Sequence, residues 1–200
     1  MFSHKILVFI RLTVSLSILA LLMTLSVSIT QAAGPSNGTT SNCMRCPGGG
    51  GGGGGQLTQA EIDGLLYMRE EEKLARDAYW TLYDKWHLPI FSKIANSEVM
   101  HMSRIKELLD RYGIADPAAG KPVGVFTNPI LQQLYNDLMV QGSLSSTEAL
   151  RVGVTIEMVD ISDLKKYLAL TNKADIISVY NMLLNGSYCH LNMFNNQLGQ

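Results

Sequence analysis

Residues 58–86 read TQAEIDGLLYMREEEKLARDAYWTLYDKW. The stretch opens on a capping box, the Thr58 hydroxyl with the Glu61 carboxylate three residues on, which satisfies amides that a first helical turn leaves without partners. From there Leu65, Met68, Glu72, Ala75, Tyr79 and Leu82 recur at alternating steps of three and four. That spacing keeps one stripe of a helix against a bundle core. A helix is predicted to about Trp86, with His87-Leu88-Pro89 ending it and His87 left in the connecting loop without a chemical role. A carboxylate, Glu72, interrupts the apolar stripe at its middle.

The same pattern repeats outward from this segment. A second helix is predicted over residues 89–112, Pro89 being acceptable in its first turn and Gly113 ending it. Residues 114–128 are rich in Pro, Gly and Ala, and Asn128 then caps a short helix from Pro129 to about Gln141. Ser145-Ser146-Thr147-Glu148 starts a third long helix reaching about Leu170, and Thr171-Asn172-Lys173 leads to a fourth from Ala174 to about Leu198. The fold class is all-α: two antiparallel helical hairpins joined by a crossover of about 30 residues that contains the short helix. This is the connectivity of a ferritin-like four-helix bundle rather than of an up-down-up-down bundle.

The other long helices carry seams of the same kind. The second gives Phe91, Ile94, Glu98, His101, Ile105, Leu108 and Tyr112; the third Leu150, Gly153, Glu157, Asp160, Leu164 and Tyr167; the fourth Ile176, Tyr180, Leu183, Ser187, His190 and Phe194. Each is apolar or aromatic at its ends and polar in the middle. Glu72, Glu98, His101, Glu157, Asp160 and His190 are therefore expected to meet at one level of one core. Buried carboxylates repel one another unless protons or a cation neutralise them. Four carboxylates with two neutral imidazoles make a hard, oxygen-rich donor set, suited to two divalent metal ions, iron first and manganese as the alternative.

Glu72 is followed seven residues later by Tyr79, and Asp160 seven residues later by Tyr167. Both tyrosines are candidate catalytic residues, placed where a phenol can hydrogen-bond a ligand or carry an oxidising equivalent, and each also reads as a core aromatic. Gly153 and Ala75, one turn from Glu157 and Glu72, suggest either a hollow for a diatomic substrate or close helix packing. Arg69 and Arg76 read as solvated, or as partners for Glu70, Glu71 and Glu72.

The N-terminus has a different character. His4, Lys5 and Arg11 precede an uncharged apolar run over residues 12–29, and Thr30-Gln31-Ala32-Ala33 offers small residues for cleavage. Residues 1–33 are thus a signal peptide of an exported protein, or, uncleaved, an N-terminal membrane anchor. Residues 34–56 form a disordered glycine-rich linker that carries Cys43 and Cys46, leaving 57–200 as the helical domain. In an oxidising compartment that C-x-x-C reads as a local disulfide, and Cys189 as a left-over buried thiol on a helix. The formal net charge of −1, without a basic block, gives no footprint for nucleic acid.

The strings Met68-Arg69-Glu70-Glu71-Glu72-Lys73-Leu74-Ala75-Arg76-Asp77, Ser97-Glu98-Val99-Met100-His101, Ile156-Glu157 with Asp160-Ile161-Ser162-Asp163-Leu164, and Gly186-Ser187 with His190-Leu191 resemble ferritin-like and rubrerythrin-like di-metal proteins. They resemble more closely the uncharacterised family DUF2202. The resemblance covers residues 57–198 and implies a ligand pattern of Glu, Glu-x-x-His, Glu and Glu-x-x-His on successive long helices. Glu72, Glu98, His101, Glu157 and His190 match it. Ser187 departs from it, standing where the pattern has a second bridging carboxylate, and Asp160 is expected to restore the missing charge.

The expected function is that of an exported oxidoreductase, of peroxidase or oxidase type, that reacts with peroxide or dioxygen and draws on an unknown electron donor. A membrane enters only through an uncleaved N-terminus, and a homodimer is compatible with the sequence. The alternatives are a metal-binding or storage module without turnover and a metal-free helical interaction domain. With three cysteines in the chain, a rubredoxin-like four-cysteine iron site is missing, which weakens a full rubrerythrin cycle.

Overall fold

The computed structural model describes residues 56–199. The signal-like segment 1–33, the linker up to Gly55, and Cys43 and Cys46 lie outside the described residues. Five helices and no strand occupy the described part: α1 (Gln59–Trp86), α2 (Pro89–Tyr112), α3 (Pro129–Gly142), α4 (Ser146–Leu168) and α5 (Ala174–Leu198). No helix among the described residues is long and apolar enough to cross a membrane.

The helix boundaries follow from local chemistry. Thr58 Oγ1 accepts from the Glu61 amide at 3.2 Å while the Thr58 amide donates to Glu61 Oε2 at 2.8 Å, closing the capping box on both sides. Asn128 Oδ1 accepts from the Ile130 amide at 2.9 Å and Ser145 Oγ from the Glu148 amide at 3.1 Å. His87 ends α1 at φ 53° and Gly113 ends α2 at φ 67°; the left-handed conformation is free of steric cost only for the glycine. The third long helix ends at Leu168, two residues short of the expected Leu170. Its chain closes there in a tighter turn, the Leu170 amide donating to the Tyr167 carbonyl at 3.1 Å.

The four long helices close into a ring of contacts: α1 packs on α2 and α4, and α5 on α2 and α4, while α3 lies against α1 and α4. Two apolar clusters fill the interior. One joins Leu74, Tyr79, Phe91, Leu138, Val152 and Phe194; the other joins Leu65, Met68, Ile105, Leu164, Tyr180 and Leu183. Between them lies the layer of polar residues that interrupts all four seams.

Helix α1 departs from a simple amphipathic stripe, because residues 68–75 are buried without a break. The crossover covers its outer face, and buried charges hold it there. Arg69 pairs with Asp116 at 2.8 Å and donates to the Met102 carbonyl at 2.8 Å. Glu70 accepts from the amides of Thr127 and Asn128 at the start of α3. Lys73 donates to Asp77 at 2.5 Å and to the Pro122 carbonyl at 2.8 Å, with its ammonium 4.6 Å above the Phe126 ring. Arg76 pairs with Asp77 as well. The expectation that Arg69 and Arg76 are solvated or pair with Glu70, Glu71 and Glu72 is thereby corrected: their partners are Asp116 and Asp77.

Cys189 also needs correction. It is disulfide-bonded and half-buried, about 100° round the helix from the inward-facing His190. It is not a buried, inert thiol.

The Lys73–Asp77 pair gives a test of the crossover's anchoring. Asp77→Ala strands the Lys73 ammonium in the interior and should cost about 3–5 kcal/mol of stability in urea unfolding. A loss below about 1 kcal/mol, the range of an exposed pair, would show that the pair does not hold the crossover.

Candidate metal centre

Each long helix delivers its polar residues from mid-length, where neighbouring turns are already fixed by apolar packing. From α1 comes Glu72, from α2 Glu98 and His101, from α4 Glu157 and Asp160, and from α5 Ser187 and His190. All are buried.

Five of them form two triads that share one carboxylate. Glu72, Glu98 and His101 make the first and Glu98, Glu157 and His190 the second, with the donor atoms of each triad within 4.8 Å of one another. His101 Nδ1 lies 2.7 Å from Glu98 Oε2 and 3.2 Å from Glu72 Oε2. His190 Nδ1 lies 2.9 Å from Glu98 Oε1 and 3.6 Å from Glu157 Oε2. Glu98 thus turns one oxygen to each imidazole, and the two rings stand 5.6 Å apart, inclined at 29°.

The donor set fits a cation better than it fits itself. His190 Nδ1 and Glu98 Oε1 are close, yet neither has an aligned hydrogen-bond partner, and Glu72 Oε1 and Asp160 Oδ1 have none either. Buried polar atoms without partners are costly and call for an explanation. A cation seated among them would satisfy lone pairs that no protein donor reaches, and oxygen with imidazole donors suits iron or manganese.

Charge balance points the same way. Burial raises the Glu72 carboxyl to about 7 despite the attraction of His101, and burial likewise raises Glu157. Asp160 is pushed up by burial and then by Glu72 and Glu157. For Glu98, burial is outweighed by the two histidines, and its carboxyl lies below the usual range. Burial opposes protonation of His190, but Glu98 and Glu157 prevail and raise it to about 10; His101 is raised by Glu98 and Glu72 in the same way. Without a metal, protons on these groups supply the positive charge that the layer requires.

The supporting contacts are specific. Ser97 Oγ lies 3.0 Å from His190 Nε2, so an imidazole using Nδ1 as a ligand atom donates its Nε2 proton there. Tyr79 donates to Glu157 Oε1 at 2.5 Å, leaving Oε2 to face His190. Ser187 Oγ donates to Asp160 Oδ2. Asp160 shares the layer but stands outside both triads.

Tyr167 is placed elsewhere. It is half-buried, its ring lies on Gly64 and 5.8 Å from that of Tyr67, and it has no hydrogen bond to any of the six candidate ligands. The reason is register. The triads make Glu157, not Asp160, the counterpart of Glu72, so the position seven residues on is Leu164 rather than Tyr167. Gly153 does not open a hollow, because the Phe194 ring occupies the space where its side chain would lie.

Sequence reasoning passed over Ser97 and Gly186 as parts of the site. A methyl group at Gly186 would lie 2.6 Å from Cε1 and Nε2 of His101. The signal for Gly186 was present: a glycine inside a helix costs about 1 kcal/mol relative to alanine, and such a residue implies a close neighbour.

Comparison with known proteins gives four similarities. The family model described as "Uncharacterized protein domain (DUF2202)" matches residues 61–200. The uncharacterized protein MJ0754 of Methanocaldococcus jannaschii is 49% identical over 138 residues, 69% of this chain and 75% of that protein. The crystal structure of hypothetical protein MJ0754 from Methanococcus jannaschii gives a TM-score of 0.73 at 45% identity, covering 75% of this chain and 86% of that one. A DUF305 fragment from Deinococcus radiodurans, at 13% identity and a TM-score of 0.54, covers 72% of this chain and 99% of its own; that likeness is one of fold alone.

Gly186→Ala tests the contact on His101. Helix propensity favours the alanine by about 1 kcal/mol, whereas overpacking against a ring held among carboxylates costs about 1–3 kcal/mol. The expected result is a protein no more stable than the parent in urea, with the His101 ring resonances displaced. A stabilised variant with unmoved resonances would remove Gly186 from the site.

Proposed function

The chain belongs to the DUF2202 family, and from the chemistry of its buried centre we propose an exported, ferritin-like protein that holds two divalent metal ions and acts as an oxidoreductase on peroxide or dioxygen. One observation carries this reading: two buried donor triads share Glu98, and within them Glu72 Oε1, Glu98 Oε1 and His190 Nδ1 have no hydrogen-bond partner. The order of helices supports the ferritin-like assignment, since two helical hairpins are joined by a crossover that contains a short helix.

Iron is the preferred metal and manganese the alternative, on the hardness of the donors. When bound, such a pair supplies Lewis acidity and redox equivalents to a small oxidant. Glu98 is suited to bridge, Glu72 and His101 to hold one ion, and Glu157 and His190 the other. Ser97 fixes the tautomer of His190, and Tyr79 holds a phenolic proton on Glu157 Oε1. Turnover requires an electron donor, which we place outside the domain. Export rests on the signal-like residues 1–33.

A metal-binding module without turnover is the second reading. It is favoured by the Phe194 ring, which fills the core beside Gly153 and leaves no hollow there for a substrate. The two separate on whether peroxide or dioxygen changes the absorption of the metal-loaded protein on a turnover timescale.

Elemental analysis of protein purified without added metal tests the common premise; a metal-free protein that takes up neither Fe²⁺ nor Mn²⁺ would end both readings. His101→Ala and His190→Ala should each lower bound metal by about half while the helical circular dichroism persists, because each imidazole serves a different ion. Unchanged stoichiometry in both variants would exclude them as ligands.

The asymmetry of the centre has its own test. Asp160→Asn should weaken metal binding by about 10–100-fold and more than Ser187→Ala, since it removes a charge where the serine loses one hydrogen bond. Ser187→Glu should tolerate the loss of Asp160. If the double variant binds no better than Asp160→Asn alone, Asp160 does not compensate for Ser187.

A further inference from the structure

The polar layer extends beyond the two triads. Glu71 is 2% exposed and both its carboxylate oxygens lack any hydrogen-bond partner. The α1–α4 register fixes its level. Gly64 packs on the Tyr167 ring and Tyr79 reaches the Gly153 carbonyl, so in this antiparallel pair Glu71 lies opposite Asp160. Asp160 has Oδ2 taken by Ser187 and Oδ1 unpartnered.

One turn further along α4, the Asp163 side chain is 19% exposed and meets Lys166 at 3.8 Å. The Lys166 ammonium stands 4.7 Å over the Tyr167 ring and 5.9 Å over that of Tyr67.

A dry carboxylate with two empty oxygens requires a cation or a proton. The opposite flank of α1 offers a cation nothing, because the acids there are already matched: Asp77 by Lys73 and Arg76, Asp116 by Arg69, and Glu70 by two amides.

We propose that Glu71 and Asp160, with Asp163 at the outer end, form a loading position for a hard divalent cation between α1 and α4, from which the cation passes to the triads. The proposal rests on the reading of the core as a metal centre. Oxygen ligands alone suit Mn²⁺ or Fe²⁺ in transit, while residence is decided by the imidazoles further in. Asp163, paired with Lys166 and partly open to solvent, is the outermost carboxylate of the three.

The experiment mixes the chelator-stripped full chain rapidly with Mn²⁺ and follows the loss of the free Mn²⁺ magnetic-resonance signal. Glu71→Gln should slow loading about tenfold, the scale on which local charge focuses an incoming ion, and leave the final stoichiometry at the parent value. Asp163→Asn should slow it in the same direction by less. Loading at the parent rate in both variants overturns the proposal while leaving the metal centre intact. A final stoichiometry lowered by one equivalent in Glu71→Gln at an unchanged rate also overturns it, making Glu71 a resident ligand. If the parent takes up no Mn²⁺, the same variants are loaded with Fe²⁺ under anaerobic conditions and judged by the same outcomes, and a parent that takes up neither ion ends the metal centre and the loading position together. Should Glu71→Gln lose its helical circular dichroism, Asp163→Asn decides alone: slowed loading supports the position and unchanged loading overturns it.

Discussion

A carboxylate buried without a donor or a counter-charge is among the most costly groups a protein can contain, and one layer of this core holds Glu71, Glu72, Glu98, Glu157 and Asp160, none more than 5% exposed. The effective penalty is several kcal/mol per ion, against a total domain stability of about 5–15 kcal/mol. The layer persists only if positive charge enters it. In the metal-free chain protons take that part, because burial raises Glu72 to about 7 and the charges of Glu98 and Glu157 raise His190 to about 10. A metal ion entering the layer would have to displace those protons, so its uptake would be coupled to folding stability through the same few groups. The apolar clusters on either side hold the layer closed and keep water from satisfying it.

Two kinds of buried charge are therefore present, on opposite flanks of α1. Towards the crossover, Arg69, Glu70, Lys73 and Asp77 each meet a partner at hydrogen-bond distance, and the result is attachment: a long irregular segment is fixed where no continuous apolar face would hold it. Towards the bundle interior the charges are unequal in number and geometrically incomplete. Completed pairs make structure, whereas incomplete ones make a site. Consecutive residues of one helix, Glu70 and Glu71, fall on opposite sides of that division because a helix turns about 100° per residue.

The helices and the level of the site were legible because both depend on local spacing. A step of three or four residues places Glu72 on the stripe of Leu65 and Tyr79 whatever the remaining chain does, and four such seams interrupted at mid-length imply one layer. The partners of Arg69 and Lys73 were not legible, since Asp116 and Pro122 lie more than forty positions along the chain and approach only when the crossover folds back. Tyr167 was misplaced for a subtler reason. An internal repeat can be registered on either acid of α4, and spacing alone does not choose between Glu157 and Asp160; only packing across the bundle does. Gly153 was open to two readings for the same reason, as the ring that fills its space comes from Phe194 on another helix.

That choice of register also explains why the two halves of the centre differ. With Glu157 matched to Glu72, Asp160 stands where α1 has Ala75, and Ser187 stands where α2 has Glu98. One carboxylate has in effect moved from α5 to α4, and Ser187 donates a hydrogen bond to it from the position left behind. A carboxylate carried on α5 would reach the centre along the same line as His190. Carried on α4, it also faces the α1 flank, where Glu71 lies opposite. The rearrangement keeps the negative charge of the layer while extending it towards the surface at Asp163. A symmetric four-helix site would be closed at this point, and this one continues outward through a line of acids.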